Sequence, residues 1–210
     1  MKKLDYLTLL ADKYRCDKGS IKHNYTKIYD SYFCFLKNKY FKLLEIGFGK
    51  GASVKMWLDY FPNATIYCAD IRKELPEDAL LTKHIHSGKF KFFSVDQSDV
   101  KQLANLYDEE QFEIIIDDGS HVAEDQQFSF GCLFPYLLHG GLYIIEDLNC
   151  RRSHSKRFGV ESEKTIKVLE ECKSRYFNSN VLTKDQIVYI NRFIGKIEIY
   201  NNKIAFIKKV

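Results

Sequence analysis

The chain has 210 residues, of which 45% are hydrophobic and 15% aromatic. This length fits one domain with a sizeable core, and the composition excludes a largely disordered chain. The formal net charge is +4, but acidic residues accompany the scattered Lys and Arg, so nucleic-acid binding gains no support.

The six cysteines form no C-x-x-C pair, and we interpret them as small buried hydrophobes in a reducing cell. The first residues lack the apolar stretch of a signal peptide, and no later segment is long and apolar enough to cross a bilayer. We therefore expect a cytoplasmic protein that acts on a small molecule and has no membrane partner.

The amino-terminal part has apolar residues at helical spacing over residues 4–36, interrupted by the polar stretch 16–20. This pattern predicts two helices joined by a loop. We interpret residues 1–40 as an N-terminal helical cap.

From Lys42 onward, short apolar runs alternate with amphipathic segments, which is typical of strand-helix-strand units in a parallel sheet. Strands are predicted at residues 42–46, 64–69, 90–95, 112–116 and 142–145. Helices are predicted through 56–58, at 100–107 and at 124–137, with a polar segment over Pro76 and 84–86 and a turn at Gly140-Gly141.

The last third is predicted to contain a helix at 161–176 and two β-rich runs, 187–200 and 203–208, joined at Asn201-Asn202 as a hairpin. The whole pattern predicts an α/β, Rossmann-like, doubly wound and mostly parallel seven-stranded sheet with an antiparallel C-terminal hairpin. Residues 1–210 would form one domain, with a cofactor-binding core at 41–147, a variable substrate loop and helix at 148–182, and the hairpin at 183–210.

A glycine loop follows the first strand: Gly47, Gly49 and Gly51 precede a helix, where missing side chains let backbone amides approach a ligand. With Ala52, the same loop also matches a dinucleotide-binding fingerprint. The loop therefore leaves an NAD-dependent oxidoreductase or epimerase open as an alternative.

Acidic residues at the strand ends favour a different cofactor. The carboxylate of Glu45 would repel a pyrophosphate and attract the cationic sulfonium of S-adenosylmethionine. Asp70, followed by Ile71, ends the second strand where a ribose would lie, and Asp96-Gln97 ends the third strand where an adenine would lie. Together these residues predict an S-adenosylmethionine site.

A second group of acids follows the next two strands, with Asp117, Asp118 and His121 after the fourth and Glu146-Asp147 after the fifth. Parallel strands end at the same edge, so four carboxylates would meet there and repel one another. Oxygen ligands of this kind favour Mg²⁺ or another hard divalent cation. We expect Asp117 to contact the cofactor. Helix capping and a solvated loop are the alternatives.

His121 is the candidate general base, because an unperturbed imidazole has a pKa of about 6.5. A substrate hydroxyl near a bound cation would lose its proton more readily, and the imidazole would accept it. An ordinary surface histidine is the alternative.

The motifs together resemble the metal-dependent class I sugar O-methyltransferases, including those that modify macrolide deoxysugars. The resemblance runs from about residue 12 to 148 and is carried by Asp17-Lys18-Gly19, His23-Asn24-Tyr25-Thr26, the glycine loop with Glu45, Asp117-Asp118-Gly119-Ser120-His121 and Glu146-Asp147. It implies that Asp118, Glu146 and Asp147 bind Mg²⁺ and that His121 is the base.

The same resemblance implies that the N-terminal helices close the cofactor pocket, with His23 and Tyr25 as contacts; ordinary packing is the alternative. Relatives of this kind often associate, which makes a homo-oligomer an expectation.

The basic stretch after residue 148 departs from the macrolide enzymes. Its cations, Arg151, Arg152, Lys156 and Arg157, would bind a phosphate, and Arg can do so with two donors. We therefore expect an anionic acceptor such as a nucleotide-linked sugar for a bacterial surface polysaccharide. A solvated loop, and another small molecule or natural product as acceptor, are the alternatives.

Overall fold

The computed structural model describes residues 5–104, 106, 111–149, 163–174, 177 and 179–210. Its helices are α1 Tyr6–Lys13, α2 Thr26–Phe33, α3 Ala52–Tyr60, α4 Ala79–His86, α5 Val100–Ala104, α6 Ala123–Leu133, α7 Thr165–Cys172 and α8 Lys184–Phe193. Its strands are β1 Lys42–Ile46, β2 Thr65–Asp70, β3 Phe90–Ser94, β4 Phe112–Asp117, β5 Leu137–Ile145, β6 Ile194–Tyr200 and β7 Ile204–Lys209. Short 3₁₀ turns cover Cys34–Leu36 and Phe134–Tyr136.

Within the described residues, the strands form one seven-stranded sheet in the order β3-β2-β1-β4-β5-β7-β6. The first five strands are parallel, β7 runs antiparallel to β5, and β6 pairs antiparallel with β7. The strand order reverses between β1 and β4, and open α/β sheets bind ligands at such a point. The predicted doubly wound sheet with an antiparallel hairpin is confirmed.

Side chains alternate between the two faces of the sheet, so each strand contributes to two cores. Leu43 of β1 packs with α1, α2, α3 and α4, and we call this side the cap face. Leu44 packs on the opposite face with α5, α6, α7 and α8. This alternation decides which strand-end side chains can meet at the site.

Two helices lie where the sequence pattern predicted otherwise. The polar segment before β3 contains α4, whose first turn is capped because the side chain of Asp78 accepts from the amides of Leu80 and Leu81. The predicted β run 187–200 begins as α8, because Thr183 and Gln186 form a capping box that starts a helix. The β structure begins at Ile194.

The predicted turn at Gly140-Gly141 is also wrong. Strand β5 starts at Leu137 and runs through both glycines, and the pairing with β4 shifts register between Phe112 and Ile114 to accommodate them. The predicted turn at Asn201-Asn202 is confirmed, since both residues have left-handed φ angles of 52° and 54°, as tight hairpins require.

In the described part of the chain, no helix combines the length and apolar character that crossing a membrane requires. Among the cysteines described there, Cys34 is exposed, so the interpretation of the cysteines as buried is wrong for this residue. The other four, Cys16, Cys68, Cys132 and Cys172, are buried.

Lys209 joins the last strand to the turn that follows α6. Its ammonium donates to the backbone oxygens of Phe134, Pro135 and Leu137 at 3.1, 2.9 and 2.6 Å, and the residue is 2% exposed. The rings of Tyr189 and Phe193 lie 5.2 and 6.0 Å from the ammonium. This side chain satisfies the carbonyls at the end of a helix that packs under the sheet.

We predict that Lys209→Met lowers the free energy of unfolding by roughly 2 to 3 kcal/mol, because several buried carbonyls lose their donor. Urea denaturation measures the change. Lys208→Met is the matched control, because Lys208 is exposed on the same strand and contacts the single carbonyl of Gly140. Equal losses in the two variants would contradict a special role for the buried ammonium.

Candidate active site

A cavity of about 680 Å³ opens at the carboxyl edge of the sheet, beside the ends of β1 and β4, where the strand order reverses. Cavities of this size hold small-molecule cofactors. The predicted site residues that line it are Gly47, Gly49, Asp70, Ile71, Asp96, Gln97, Asp118 and His121. The structure thus brings together the glycine loop and the residues after β2, β3 and β4.

Gly47 is required by a close approach of two chain segments. Its φ angle is +97°, and a Cβ at this position would collide with the backbone carbonyl of Asp118. Gly49 and Gly51 also have left-handed φ angles, and Gly51 caps the start of α3. The loop therefore needs glycine for its own path as well as for access to a ligand.

Asp70 holds the glycine loop from the neighbouring strand. Its carboxylate accepts hydrogen bonds from the backbone amides of Phe48 and Arg72 at 2.7 and 2.9 Å. Partial burial opposes ionisation, but these amides and the Arg72 guanidinium outweigh it and lower the pKa of Asp70. Ile71 is 72% exposed beside the cavity.

Asp96 and Gln97 shape the third strand end. Asp96 accepts from the Ser98 amide at 2.9 Å, which fixes the turn after β3. Gln97 accepts from the Ser120 amide at 2.7 Å and donates to Ser129 Oγ at 3.1 Å. Gln97 therefore ties the loop after β3 to the loop that carries His121.

Glu45 does not line the cavity, although its position at the end of β1 predicts that it faces a ligand. It is fully buried on the cap face, where its carboxylate accepts from Ser53 Oγ at 2.8 Å and from Trp57 Nε1 at 3.3 Å. The reason is alternation along β1, because Glu45 shares a face with Leu43. Burial raises its pKa to about 7, against the lowering effect of Lys18.

Lys18 is the functional candidate that the sequence reasoning missed. It is fully buried, and its ammonium lies 2.5 Å from Asp118 Oδ2, 3.0 Å from Glu146 Oε1 and 3.7 Å from Glu45 Oε1. Asp118 follows β4, Glu146 follows β5, and Glu45 is the penultimate residue of β1. These three strands are neighbours in the sheet. The sequence signal was its place in the motif Asp17-Lys18-Gly19.

One ammonium faces three carboxyl groups in this cluster, so the acids outnumber the cation. Burial favours the neutral form of Lys18, but Asp118, Glu146 and Glu45 outweigh it and hold its pKa well above the usual value. Burial, reinforced by Asp118, raises the pKa of Glu146. The cluster favours additional positive charge.

Two tyrosines of the N-terminal cap hold the consecutive acids after β5. Tyr29 Oη donates to Glu146 Oε1 at 2.5 Å, and Tyr25 Oη donates to Asp147 Oδ1 at 3.0 Å. They lie four residues apart and so present to the same side of one helical stretch. Tyr29 was also missed from the sequence, although its spacing from Tyr25 was a usable signal.

His23 and Tyr25 do not line the cavity, contrary to the prediction that they contact the cofactor. Tyr25 is 3% exposed and contacts Asp147, while His23 stacks on the Tyr25 ring at 5.0 Å between centroids. The reason is that this helical end packs over the acids after β5, beside the glycine loop. Both residues remain part of the wider site.

Asp118, His121 and Asp147 bring potential metal-ligand atoms within 4.8 Å of one another. Their side chains are between 22 and 25% exposed, and His121 Nε2 lies 3.8 Å from Asp147 Oδ2. His121 and Asp147 have left-handed φ angles of 58° and 54°, a strained conformation that is common at functional sites. Glu146, the other predicted ligand, lies behind them at 2% exposure.

This donor set fits a divalent cation. Asp118 and Asp147 offer carboxylate oxygens, which hard cations prefer, beside a cluster in which the acids outnumber the one ammonium. Asp117 is separate from this group: it is fully buried against Gln97 and Gly119, outside the cavity lining, and burial raises its pKa to about 7. Its predicted cofactor contact is therefore indirect at most.

The predicted substrate residues Arg151, Arg152, Lys156 and Arg157 lie outside the described residues.

We predict that Tyr29→Phe destabilises the protein by roughly 1.5 to 3 kcal/mol, because a buried carboxyl group loses a hydrogen bond. Guanidinium denaturation in the presence of EDTA measures the change without contributions from bound metal. Tyr32→Phe on the same helix is the control, since its partners Glu198 and Tyr200 are half-buried. A loss in Tyr32→Phe as large as that in Tyr29→Phe would contradict the assignment.

Comparison with known proteins identifies relatives of the chain. No family model matches it. It is 37% identical over 147 residues to the 8-demethyl-8-(2-methoxy-alpha-L-rhamnosyl)-tetracenomycin-C 3'-O-methyltransferase of Streptomyces olivaceus, covering 66% of this chain and 36% of that protein. It is 34% identical over 152 residues to the mycinamicin VI 2''-O-methyltransferase of Micromonospora griseorubida, covering 68% of this chain and 36% of that protein.

A solved structure agrees with these relatives. The mycinamycin-pathway methyltransferase MycE in complex with Mg, SAH and mycinamycin VI superposes with a TM-score of 0.77 at 29% identity. The superposition covers 99% of this chain and 55% of that one. The chain thus spans about a third of the length of the curated relatives and about half of the solved one.

These comparisons confirm the resemblance and the fold class that the sequence predicts. The relatives are named O-methyltransferases, and MycE holds Mg with SAH, the demethylated form of S-adenosylmethionine. These are the enzyme class and the two cofactors expected from the motifs. The dinucleotide alternative gains no support from them.

Proposed function

We propose, from its kinship with the class I S-adenosylmethionine-dependent sugar O-methyltransferases, that this chain carries the methyl-transfer site of a divalent-metal-assisted sugar O-methyltransferase. The observation that carries the proposal is the group Asp118, His121 and Asp147, of which Asp118 and His121 line the cavity together with the glycine loop. A cofactor pocket, a metal-binding acid pair and a base then lie at one edge of the sheet.

The cavity supplies the contacts that the cofactor needs. Asp70 is an acceptor for the ribose hydroxyls, and Asp96 is an acceptor for the adenine amine. The exposed Ile71 offers an apolar surface to the adenine ring. Gly47 and Gly49 open the loop to the methionine end of the ligand. Glu45 supports the glycine loop without lining the cavity. Its buried carboxyl group accepts from Ser53 and Trp57, and these contacts fix the end of the strand that precedes the loop.

Asp118 and Asp147 would hold the divalent cation, with Glu146 as the further acid predicted from the resemblance. When bound, the cation lowers the pKa of a coordinated hydroxyl. Tyr25 and Tyr29 hydrogen-bond to Asp147 and Glu146 and fix the orientation of these acids, as binding of a cation requires.

His121 takes the proton of the acceptor hydroxyl, and the oxygen then attacks the sulfonium methyl as the sulfur leaves. Asp147 Oδ2 lies 3.8 Å from His121 Nε2, so the base and a proposed metal ligand are neighbours. The left-handed backbone at His121 directs its side chain to the rim where Asp118 also lies. Holding acceptor and methyl donor in line supplies much of the acceleration.

We predict that methyl transfer from S-adenosylmethionine to a sugar acceptor requires Mg²⁺ and stops with EDTA. His121→Ala should lower kcat by roughly a hundredfold or more, which is the usual contribution of a general base. The binding of S-adenosylhomocysteine, measured by calorimetry, should remain within about threefold, because the proposed ribose and adenine contacts, Asp70 and Asp96, are unchanged.

The controls separate the competing hypotheses. NAD should give no heat in the same calorimeter, and binding of NAD instead of S-adenosylhomocysteine would contradict the cofactor assignment. Full turnover with EDTA present would exclude the metal. Full turnover of His121→Ala would exclude the base while leaving the methyltransferase assignment intact.

The acceptor that we propose is an anionic nucleotide-linked sugar of the kind used for bacterial surface polysaccharides. The support is the basic stretch with Arg151, Arg152, Lys156 and Arg157, which follows the acids after β5 in the sequence. The second candidate is a glycosylated natural product. The names of the relatives favour it, because their acceptors are a rhamnosyl-tetracenomycin and mycinamicin VI.

The paired variant Arg151→Ala with Arg152→Ala distinguishes these acceptors. With a nucleotide-linked sugar, KM should rise about tenfold or more while kcat stays within twofold, because lost phosphate contacts weaken ground-state and transition-state binding equally. Lys173→Ala with Lys184→Ala, two exposed lysines away from the cavity lining, is the charge-matched control. Turnover of a neutral glycoside with no turnover of nucleotide-linked sugars would favour the natural product.

A further inference from the structure

Lys18 reaches the acids of the site from the loop between α1 and α2. Hydrogen bonds fix the conformation of this loop, because the Asp12 carboxylate accepts from the Ser20 amide at 2.9 Å and from Ser20 Oγ at 2.7 Å. Arg15 and Asn24, which flank the loop, have left-handed φ angles of 55° and 56°. The position of the ammonium is therefore set by the fold of the loop rather than by a flexible surface side chain.

The ammonium and the proposed divalent cation need the same carboxylate. Lys18 lies 2.5 Å from Asp118 Oδ2, and Asp118 is also a member of the group that can hold the metal. Two cations that share one carboxylate repel each other, and water screens the fully buried Lys18 only weakly. The ion pairs with Glu146 and Glu45 keep Lys18 in the cluster when Asp118 turns to the metal.

We propose that Lys18 is a positioning residue that competes with the divalent cation for Asp118 and thereby keeps metal binding weak and reversible. In the metal-free chain, the ammonium holds the acids of three neighbouring strands in place. When the cation binds, Lys18 yields Asp118 and retains Glu146 and Glu45. The inference rests on the proposed function, because it assumes a metal at Asp118.

The test is direct binding of Mn²⁺, followed by the loss of the electron paramagnetic resonance signal of the free ion. Lys18→Met keeps the length of the side chain and removes its charge, so Mn²⁺ should bind at least tenfold more tightly than to the wild type. A purely structural role predicts the opposite direction, since a disordered site binds metal less well. Lys18→Arg keeps the charge and should stay within about threefold of the wild type.

Lys18→Met removes the cation from three acids, of which Glu45 and Glu146 are buried, and this loss can prevent folding. The double variant Lys18→Met with Glu45→Gln removes one charge of each sign, and it should also bind Mn²⁺ more tightly than Glu45→Gln does. Circular dichroism verifies that each variant is folded. An unchanged or weaker Mn²⁺ affinity in a folded Lys18→Met or double variant overturns the proposal.

The outcomes separate this inference from the proposed function. If the wild type binds Mn²⁺ and the Lys18 variants bind it no better, the role of Lys18 is wrong and the metal site stands. If neither the wild type nor the Lys18 variants bind Mn²⁺, the metal site fails, and the inference about Lys18 fails with it.

Discussion

Three carboxylates on one face of one sheet edge are the constraint on which the rest of the site depends. Each acid lies two residues after an apolar residue of the cap face and therefore points to that face as well. The pairs are Leu43 and Glu45, Ile116 and Asp118, and Ile144 and Glu146. Their strands are neighbours in the order β1-β4-β5, which leaves no way to separate the charges. Burial at this position is costly unless cations and hydrogen-bond donors arrive from elsewhere in the chain.

Those partners come from the N-terminal cap, which is therefore an integral part of the candidate site. Lys18 supplies the charge, and Tyr29 and Tyr25 supply hydroxyl donors to Glu146 and Asp147. The same tyrosine, Tyr29, also packs its ring against Trp57 at 5.3 Å between centroids, so apolar burial and acid placement are achieved by one side chain. Docking of the cap and formation of the site are coupled for this reason.

Periodicity predicted what depends on neighbouring residues and missed what depends on distant ones. The strand at 42–46 and the hairpin at Asn201-Asn202 were correctly predicted, because an apolar run and a pair of left-handed residues are local signals. Helix α8 was missed because its apolar residues also fit a strand, and the capping box of Thr183 and Gln186 decides between the two. The position of Glu45 at a strand end predicts that it faces the cavity, but Glu45 lies two residues after the buried Leu43 and therefore points to the cap face.

The acids at this edge fall into two sets with different physical roles. Glu45 and Glu146 are at most 2% exposed and are held by Ser53, Trp57, Tyr29 and Lys18, so they anchor strand ends at a high electrostatic cost. Asp118 and Asp147 are about a quarter exposed and lie close to His121, where a solvated cation can reach them. Lys18 touches both sets, since it contacts Glu45 and Glu146 behind and Asp118 in front. A cation bound at Asp118 therefore acts through Lys18 on Glu45, which lies in the strand before the glycine loop. Lys18 thus links the proposed metal site to the proposed cofactor site.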